Sequence, residues 1–209
     1  MTRAIRFYET GGPEVLKLET VELGEPGPGE ARVRHSHIAV NFIDIYFRTG
    51  FYPAQLPSGL GSDAVGVVEA VGAGVEGIRP GNRVGYLLGP QGAYSEARVM
   101  PADVLIPIPD GVSDSTAATV IMKGMTAQYL FRQVYPLKAG DTFLYHAAAG
   151  GVGDLEGRAV VGFDPFARHI GAGAQQAGVG QSCGKAFLDI LHVILPMAGP
   201  AGGGQALAV

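Results

Sequence analysis

The segment Ala147-Ala148-Ala149-Gly150-Gly151-Val152-Gly153 is the stretch of this sequence best suited to chemistry. Gly150 and Gly153 have the spacing of the second and third glycines of G-x-G-x-x-G, and Ala148 stands where the first would be. Such a turn brings backbone N–H groups close to a pyrophosphate when a strand leads in and a helix leads out. The apolar run from Thr142 to Tyr145 supplies the strand, so Ala148, Gly150, Gly151, Val152 and Gly153 are candidate dinucleotide contacts. A second pattern, Gly180-Gln181-Ser182-Cys183-Gly184, satisfies G-x-S-x-G, the nucleophile elbow of hydrolases. The elbow requires a buried strand before it, and Gly171 to Val179 is too glycine-rich to be one; the match is read as chance. His35 and His37, at i and i+2, are expected to share one strand face at the surface. Two histidines without a third ligand do not make a zinc site, which needs three or four, so no metal is expected. Asn41 to Gly50 reads as one or two helical turns that group Asn41, Asp44, Tyr46 and Arg48 in a polar-aromatic cluster near a domain edge.

The elements that must position these residues differ along the chain. From Ala4 to about Pro109, short β-rich runs alternate with turn residues: Ala4–Phe7, Leu16–Leu23, Ala31–Val40, Ala64–Val71, Arg83–Leu88 and Ala93–Val99 are the predicted strands. This spacing fits a small, partly open β-barrel. After Gly111-Val112, Ser113 is a plausible N-cap for a helix over Asp114–Met122, and a second helix over Thr126–Tyr135 is predicted beyond Gly124. The strand and glycine turn follow. The residues after Gly153 do not supply the helix that should come next, because Asp154 to Pro165 contains two glycines and a proline. An internal glycine costs ~1 kcal/mol against alanine in a helix, and an internal proline ~3. From Asp154 to Val209, 24 of 56 residues are Gly, Ala or Pro and only seven are charged. That composition is what a frameshifted reading of a GC-rich gene would produce.

Composition narrows the function classes. Of 209 residues, 47% are hydrophobic, enough for one large or two small packed domains, and 33 glycines with 14 prolines exclude a helical bundle. Fifteen basic and nineteen acidic residues leave a net charge of -4 without any block of one sign, so neither nucleic acid nor an anionic membrane is an expected partner. The single cysteine, Cys183, forms no internal disulfide, and Met1 to Pro13 lacks a signal-peptide pattern, which makes the cytoplasm the expected compartment. The longest apolar stretch, Ala186 to Leu195, is ten residues interrupted by Asp189 and His192, short of the ~18 that span a bilayer.

An ordered series of motifs runs through the first 153 residues: Gly11-Gly12-Pro13-Glu14-Val15-Leu16, Asn41-Phe42-Ile43-Asp44, Leu56-Pro57-Ser58-Gly59-Leu60-Gly61 and Val67-Val68-Glu69-Ala70-Val71-Gly72. It continues with Pro80-Gly81-Asn82-Arg83-Val84, Gly92-Ala93-Tyr94-Ser95-Glu96, Lys123-Gly124-Met125-Thr126 and the glycine turn. On these residues the chain resembles the quinone oxidoreductase, or zeta-crystallin-like, branch of the medium-chain dehydrogenase/reductase superfamily. The resemblance implies an α/β protein with a β-rich GroES-like barrel over residues 1–112. The start of a Rossmann domain over 113–153 and a divergent Gly/Ala-rich tail over 154–209 would follow, leaving the nucleotide domain incomplete.

It further implies NADPH as cofactor, one-electron reduction of a quinone without a metal, and a homodimer. Zinc members of the superfamily carry a cysteine where Asn41 stands and Gly-His-Glu where Gly61-Ser62-Asp63 stands, so the ligand types are replaced here. By resemblance Asn41, Tyr46 and Tyr52 line the cleft where nicotinamide and substrate meet, and an amide with two phenols offers hydrogen bonds there without introducing charge. Lys123 and Thr126 would sit beside the glycine turn and touch the cofactor, although Lys123 serves equally well as a solvated helix-end charge. The expected function is NADPH-dependent quinone reduction with impaired cofactor binding; the alternative is a non-catalytic GroES-like binding or scaffold domain.

Overall fold

The computed structural model describes residues 1–136, 138, 151 and 152. The chain divides into two compact units, Met1–Met122 and Lys123–Val209. The first unit is built from eight strands: β1 (Thr2–Phe7), β2 (Lys17–Val21), β3 (Glu30–Ile38), β4 (Ser58–Gly59), β5 (Ala64–Val71), β6 (Arg83–Tyr86), β7 (Ala97–Pro101) and β8 (Ile106–Pro107). Helix α1 (Phe42–Thr49) lies between β3 and β4, and α2 (Asp114–Gln128) follows β8.

Every strand pairing is antiparallel, in a three-stranded sheet ordered β2-β1-β4 and a five-stranded sheet ordered β7-β3-β5-β6-β8. The two strands of the larger sheet that contain a proline, β7 and β8, are its edges, as expected for a residue that cannot donate to a ladder. A bridge between Ala4 and Ser95, with Ile5 N–H donating to Tyr94 O at 2.7 Å and Glu96 N–H to Arg3 O at 3.0 Å, joins the sheets into a barrel.

Alternation in β3 turns Ala31 and Val33 inward, where they meet Ala64, Val68, Val84, Tyr86 and Met100 in the main core. A second cluster, Phe7, Val15 and Leu60, receives Phe47 of α1 and Tyr94. The first turn of α2 is locked to the barrel through Asp114. Its carboxylate accepts from Arg83 Nε at 2.8 Å and from Ser36 Oγ at 2.6 Å. Burial pushes Asp114 upward, but the Ser36 hydroxyl and the Arg83 guanidinium outweigh it and hold the carboxyl below its ordinary range.

The structure corrects several boundaries. The strand expected over Arg83–Leu88 stops at Tyr86, because Leu88 adopts a φ of 54° that no strand continues. The one expected over Ala93–Val99 begins only at Ala97; before it, Ser95 makes a single bridge to β1. His35 and His37 do not share a face, since a register shift against β5 falls between them. His35 is instead partly buried, its Nδ1 donating to Ser95 O at 2.6 Å and its Nε2 2.8 Å from the Tyr86 hydroxyl. Gly66 makes this crossing possible, because a Cβ there would lie 2.1 Å from Arg34 O.

The two predicted helices are one. α2 runs unbroken from Asp114 to Gln128 through Gly124 and continues as π-helical turns over Tyr129–Val134. One glycine costs about 1 kcal/mol, less than the burial of Ala117, Val120, Ile121 and Ala127 contributes along the same helix. Among the described residues no helix is long and apolar enough to cross a membrane. The strand predicted over Thr142–Tyr145, the G-x-S-x-G match and everything after Val152 lie outside the described residues.

Candidate active site

The site begins with the way α1 starts. Asn41, in extended conformation with φ −125° and ψ 155°, precedes the first helical residue, and Asp44 three residues later reaches back to accept the Asn41 backbone N–H at 2.9 Å. Gly50, with φ 81°, ends the helix in the left-handed conformation that glycine accepts without strain. Asp44 is only 3% exposed, and a buried carboxylate must find donors. It has them from other segments: Tyr94 OH donates to Oδ2 at 2.9 Å and Ser62 Oγ to Oδ1 at 3.3 Å. Gln91 Nε2 donates in turn to Ser62 Oγ at 3.1 Å.

Asn41 is held at its side chain as well, with Nδ2 donating to Asp63 Oδ1 at 2.5 Å. Asp63 is fully buried at the entry to β5. Three stretches distant in sequence, 41–44, 61–63 and 91–94, therefore form one polar network. Gly61 is necessary to it: its φ is 97°, and a Cβ would lie 2.3 Å from Tyr94 Cδ1, where the ring passes on its way to Asp44. Burial, reinforced by the Asp44 hydrogen bond, raises the Tyr94 phenol well above its ordinary range, so it stays a donor.

Tyr46 lies one turn into α1 and Tyr52 just beyond its end. Their rings meet edge to face at 5.3 Å, and Tyr52 N–H donates to Tyr46 O at 3.0 Å. Phe42 and Phe51 pack on Tyr46 at 5.3 and 5.0 Å, and Phe47 on Tyr52 at 5.6 Å. Helix α1 thus carries Asn41 at its cap and Tyr46 in its body, and Tyr52, just beyond its end, joins Tyr46 in one aromatic cluster. Phe42 and Phe51 remain 68% and 71% exposed, so the cluster presents aromatic surface rather than closing on itself.

The expected cofactor residues are described in part. Lys123 and Thr126 sit three apart on α2, on neighbouring positions of one helix face. Gly151 and Val152 are helical, and the Lys123 side chain crosses Gly151 so closely that a Cβ there would lie 2.7 Å from Lys123 Cε. A Cβ at position 151 would oblige the flexible Lys123 side chain to move aside. Ala148, Gly150 and Gly153 lie outside the described residues.

Asn41 is engaged with Asp63, and Ser62 with Asp44 and Gln91. Among the described residues no three His, Cys, Asp or Glu side chains are placed to hold a metal ion. A groove of about 660 Å³ opens elsewhere on the barrel, lined by Ile5, Leu18, Ile38, Val40 and Tyr94 among others. It shares only Tyr94 with the network and does not contain Asn41, Tyr46 or Tyr52.

Residue reasoning missed the roles of Asp63 and Tyr94. The N-x-x-D spacing could have signalled the Asn41–Asp44 cap, and an aspartate directly before the apolar strand Ala64–Val71 could have signalled a buried carboxylate in need of a donor. Neither named its partner.

Residues 27–110 match the alcohol dehydrogenase GroES-like domain. The chain is 53% identical over 154 residues to a quinone oxidoreductase of Pseudomonas aeruginosa, covering 73% of this chain and 47% of that protein. It is 43% identical over 178 residues to a 2-haloacrylate reductase of a Burkholderia species, covering 82% of this chain and 51% of the relative. Among solved structures, Escherichia coli quinone oxidoreductase complexed with NADPH superposes with a TM-score of 0.75 at 39% identity, over 88% of this chain and 56% of that one. The chain spans about half the length of the curated relatives it matches. Over that span it is similar to quinone oxidoreductases in sequence and in fold, with a GroES-like domain in its first unit.

Proposed function

We propose that this chain carries the quinone-facing half of an NADPH-dependent quinone reductase. In this reading Asn41, Tyr46 and Tyr52 line the place where nicotinamide and quinone meet. Lys123 and Thr126 hold the cofactor with the turn of Ala148, Gly150, Gly151, Val152 and Gly153. Residues 1–112 are the substrate barrel, 113–153 the start of the nucleotide domain, and 154–209 a segment of different character.

The observation that carries the proposal is the anchored cap of α1: Asn41 fixed by Asp44 and Asp63, next to the paired rings of Tyr46 and Tyr52. A quinone is a planar, uncharged ring with two carbonyl oxygens. Neutral phenols meet those oxygens without the desolvation that a charged residue would suffer, the Asn41 amide adds a neutral polar group beside them, and the aromatic faces receive the ring. NADPH, when bound, supplies the reducing equivalents; the residues of the barrel orient the acceptor and exclude water.

Holding NADPH requires a helix N-terminus at the pyrophosphate and a contact for the 2′-phosphate, and residues 154–165 have a composition that opposes such a helix. Loss of such a phosphate contact would by itself weaken binding roughly ten- to a hundredfold. We therefore expect the 209-residue chain to bind NADPH more weakly than about millimolar and to show no NADPH oxidation with 1,4-benzoquinone. Replacing the residues after Gly153 with the corresponding part of the P. aeruginosa relative should restore turnover, and Asn41→Ala in that hybrid should lower it by roughly tenfold. A folded but inert hybrid would refute the quinone reductase reading. Rapid turnover by the unaltered chain would refute the expected weakness of cofactor binding.

A further inference from the structure

We propose that Asp63 is a positioning residue that fixes the orientation of the Asn41 amide, so that its oxygen faces the ligand as a hydrogen-bond acceptor and the site favours a ring that carries a hydroxyl donor. The inference rests on the reading of Asn41 as a residue facing the quinone.

An asparagine side chain has a donor end and an acceptor end, and which of them a ligand meets depends on what holds the other. Here the amide nitrogen lies 2.5 Å from Asp63 Oδ1. In this arrangement the carboxylate oxygen accepts from the amide nitrogen, which leaves the amide oxygen turned away from Asp63; with Asp63 ionised the reverse orientation would place two oxygens in contact. Asp63 is fully buried and immediately precedes β5, whose first residues, Ala64 and Val65, are buried in the core. The Asn41 backbone N–H is tied separately to Asp44, itself held by Tyr94 and Ser62. Main chain and side chain of Asn41 are thus fixed from two directions.

Donation to a carboxylate also shifts electron density toward the amide oxygen and makes it a stronger acceptor. The chemical class that satisfies such an oxygen is an O–H or N–H donor: a hydroquinone hydroxyl or the –NH2 of a carboxamide. A quinone carbonyl offers nothing to it. The phenols of Tyr46 and Tyr52 can turn to donate or to accept, whereas the Asn41 oxygen is an acceptor fixed in direction by the bond to Asp63.

The test uses the isotopically labelled 209-residue chain and NMR under anaerobic conditions, with the Asn41 amide assigned by its loss in Asn41→Leu. The proposal expects one Asn41 Hδ2 proton far downfield with slow amide rotation. Hydroquinone should bind more tightly than 1,4-dimethoxybenzene, which lacks the hydroxyl protons, by about fivefold, the worth of one net hydrogen bond. Asp63→Ala should return the proton to the ordinary range and erase the preference, and Asp63→Asn, which keeps an accepting oxygen in place, should retain most of it. Dispersed core resonances of Val33 and Tyr86 report whether each variant is folded.

The wild-type measurements decide the matter even if Asp63→Ala does not fold. An ordinary Asn41 amide proton, or equal affinity for the two ring compounds while both perturb Tyr46 and Tyr52, overturns the proposal and leaves the quinone reading standing. Absence of any perturbation at Asn41, Tyr46 and Tyr52 by either compound overturns that reading and the proposal with it.

Discussion

Tyr94 and Tyr8 make the same bond on paper, a phenol hydroxyl donating to a carboxylate, at 2.9 Å to Asp44 and at 2.8 Å to Glu19. Their environments separate them. Tyr8 is 50% exposed and its bond competes with water, whereas Asp44 is 3% exposed and would be left short of a donor in the interior. Tyr94→Phe should therefore cost about 1.5–3 kcal/mol of unfolding free energy and Tyr8→Phe close to none. Urea denaturation of the two variants checks this, and equal losses would mean that the network around Asp44 is solvated. Legibility at this scale followed sequence distance. Asn41 and Asp44 announce their bond by spacing, and the aromatic types of Tyr46 and Tyr52 fall within one short window. The Asn41–Asp63 and Asp44–Tyr94 bonds join positions that only the barrel brings together, so composition showed the need for a partner without identifying it.

At the scale of elements, local pattern sufficed where turn residues bracket an element and failed where the register shifts within it. β5 was legible to its ends, Ala64–Val71, because it is flanked by turn residues and lies between β3 and β6. β3 was not, since it pairs with β5 on one side and β7 on the other, and the register shift beside His35 accommodates both. That shift moves His35 into contact with Tyr86, which alternation alone cannot anticipate. α2 shows the opposite failure, in which a glycine read as a break is carried through by burial on both sides of it. The start of α2 was read correctly, with Ser113 Oγ accepting the Thr116 N–H at 3.2 Å. Ser113→Ala should cost about 1 kcal/mol, the usual worth of an N-cap, and lower the thermal midpoint accordingly. An unchanged midpoint would assign the start of the helix wholly to the Asp114–Arg83 pair and the Ser36 bond instead.

For the barrel as a whole, the buried titratable groups fix the direction in which pH acts on stability. His35 sits with Nδ1–H on Ser95 O and Nε2 accepting from Tyr86, a neutral tautomer with both nitrogens occupied. Burial lowers its pKa to about 4, and the nearby Arg98 acts in the same direction against the Ser95 hydrogen bond. The same burial pushes the Tyr86 phenol up to about 12, so the hydroxyl remains a donor at every pH at which the fold survives. A histidine whose folded pKa lies below its unfolded value of roughly 6.5 stabilises the fold fully above that value. As pH falls, the unfolded chain takes up a proton that the folded chain refuses, and the contribution drains away until the folded pKa near 4 is reached. The gap corresponds to a loss on the order of 3 kcal/mol between pH 6.5 and 4. Asp114, held below its ordinary range, adds a loss of the same sign at still lower pH, where its bonds to Ser36 and Arg83 break. Both groups make the barrel acid-labile, and His35 alone sets the onset near neutrality. Urea unfolding from pH 7.5 to 4.5 should show stability falling with the slope of one proton taken up by the unfolded state, and His35→Gln, which cannot titrate, should flatten that slope. A wild-type profile that is level from pH 7 to 5 would mean that His35 is protonated in the folded barrel and that its bond to Tyr86 is not made.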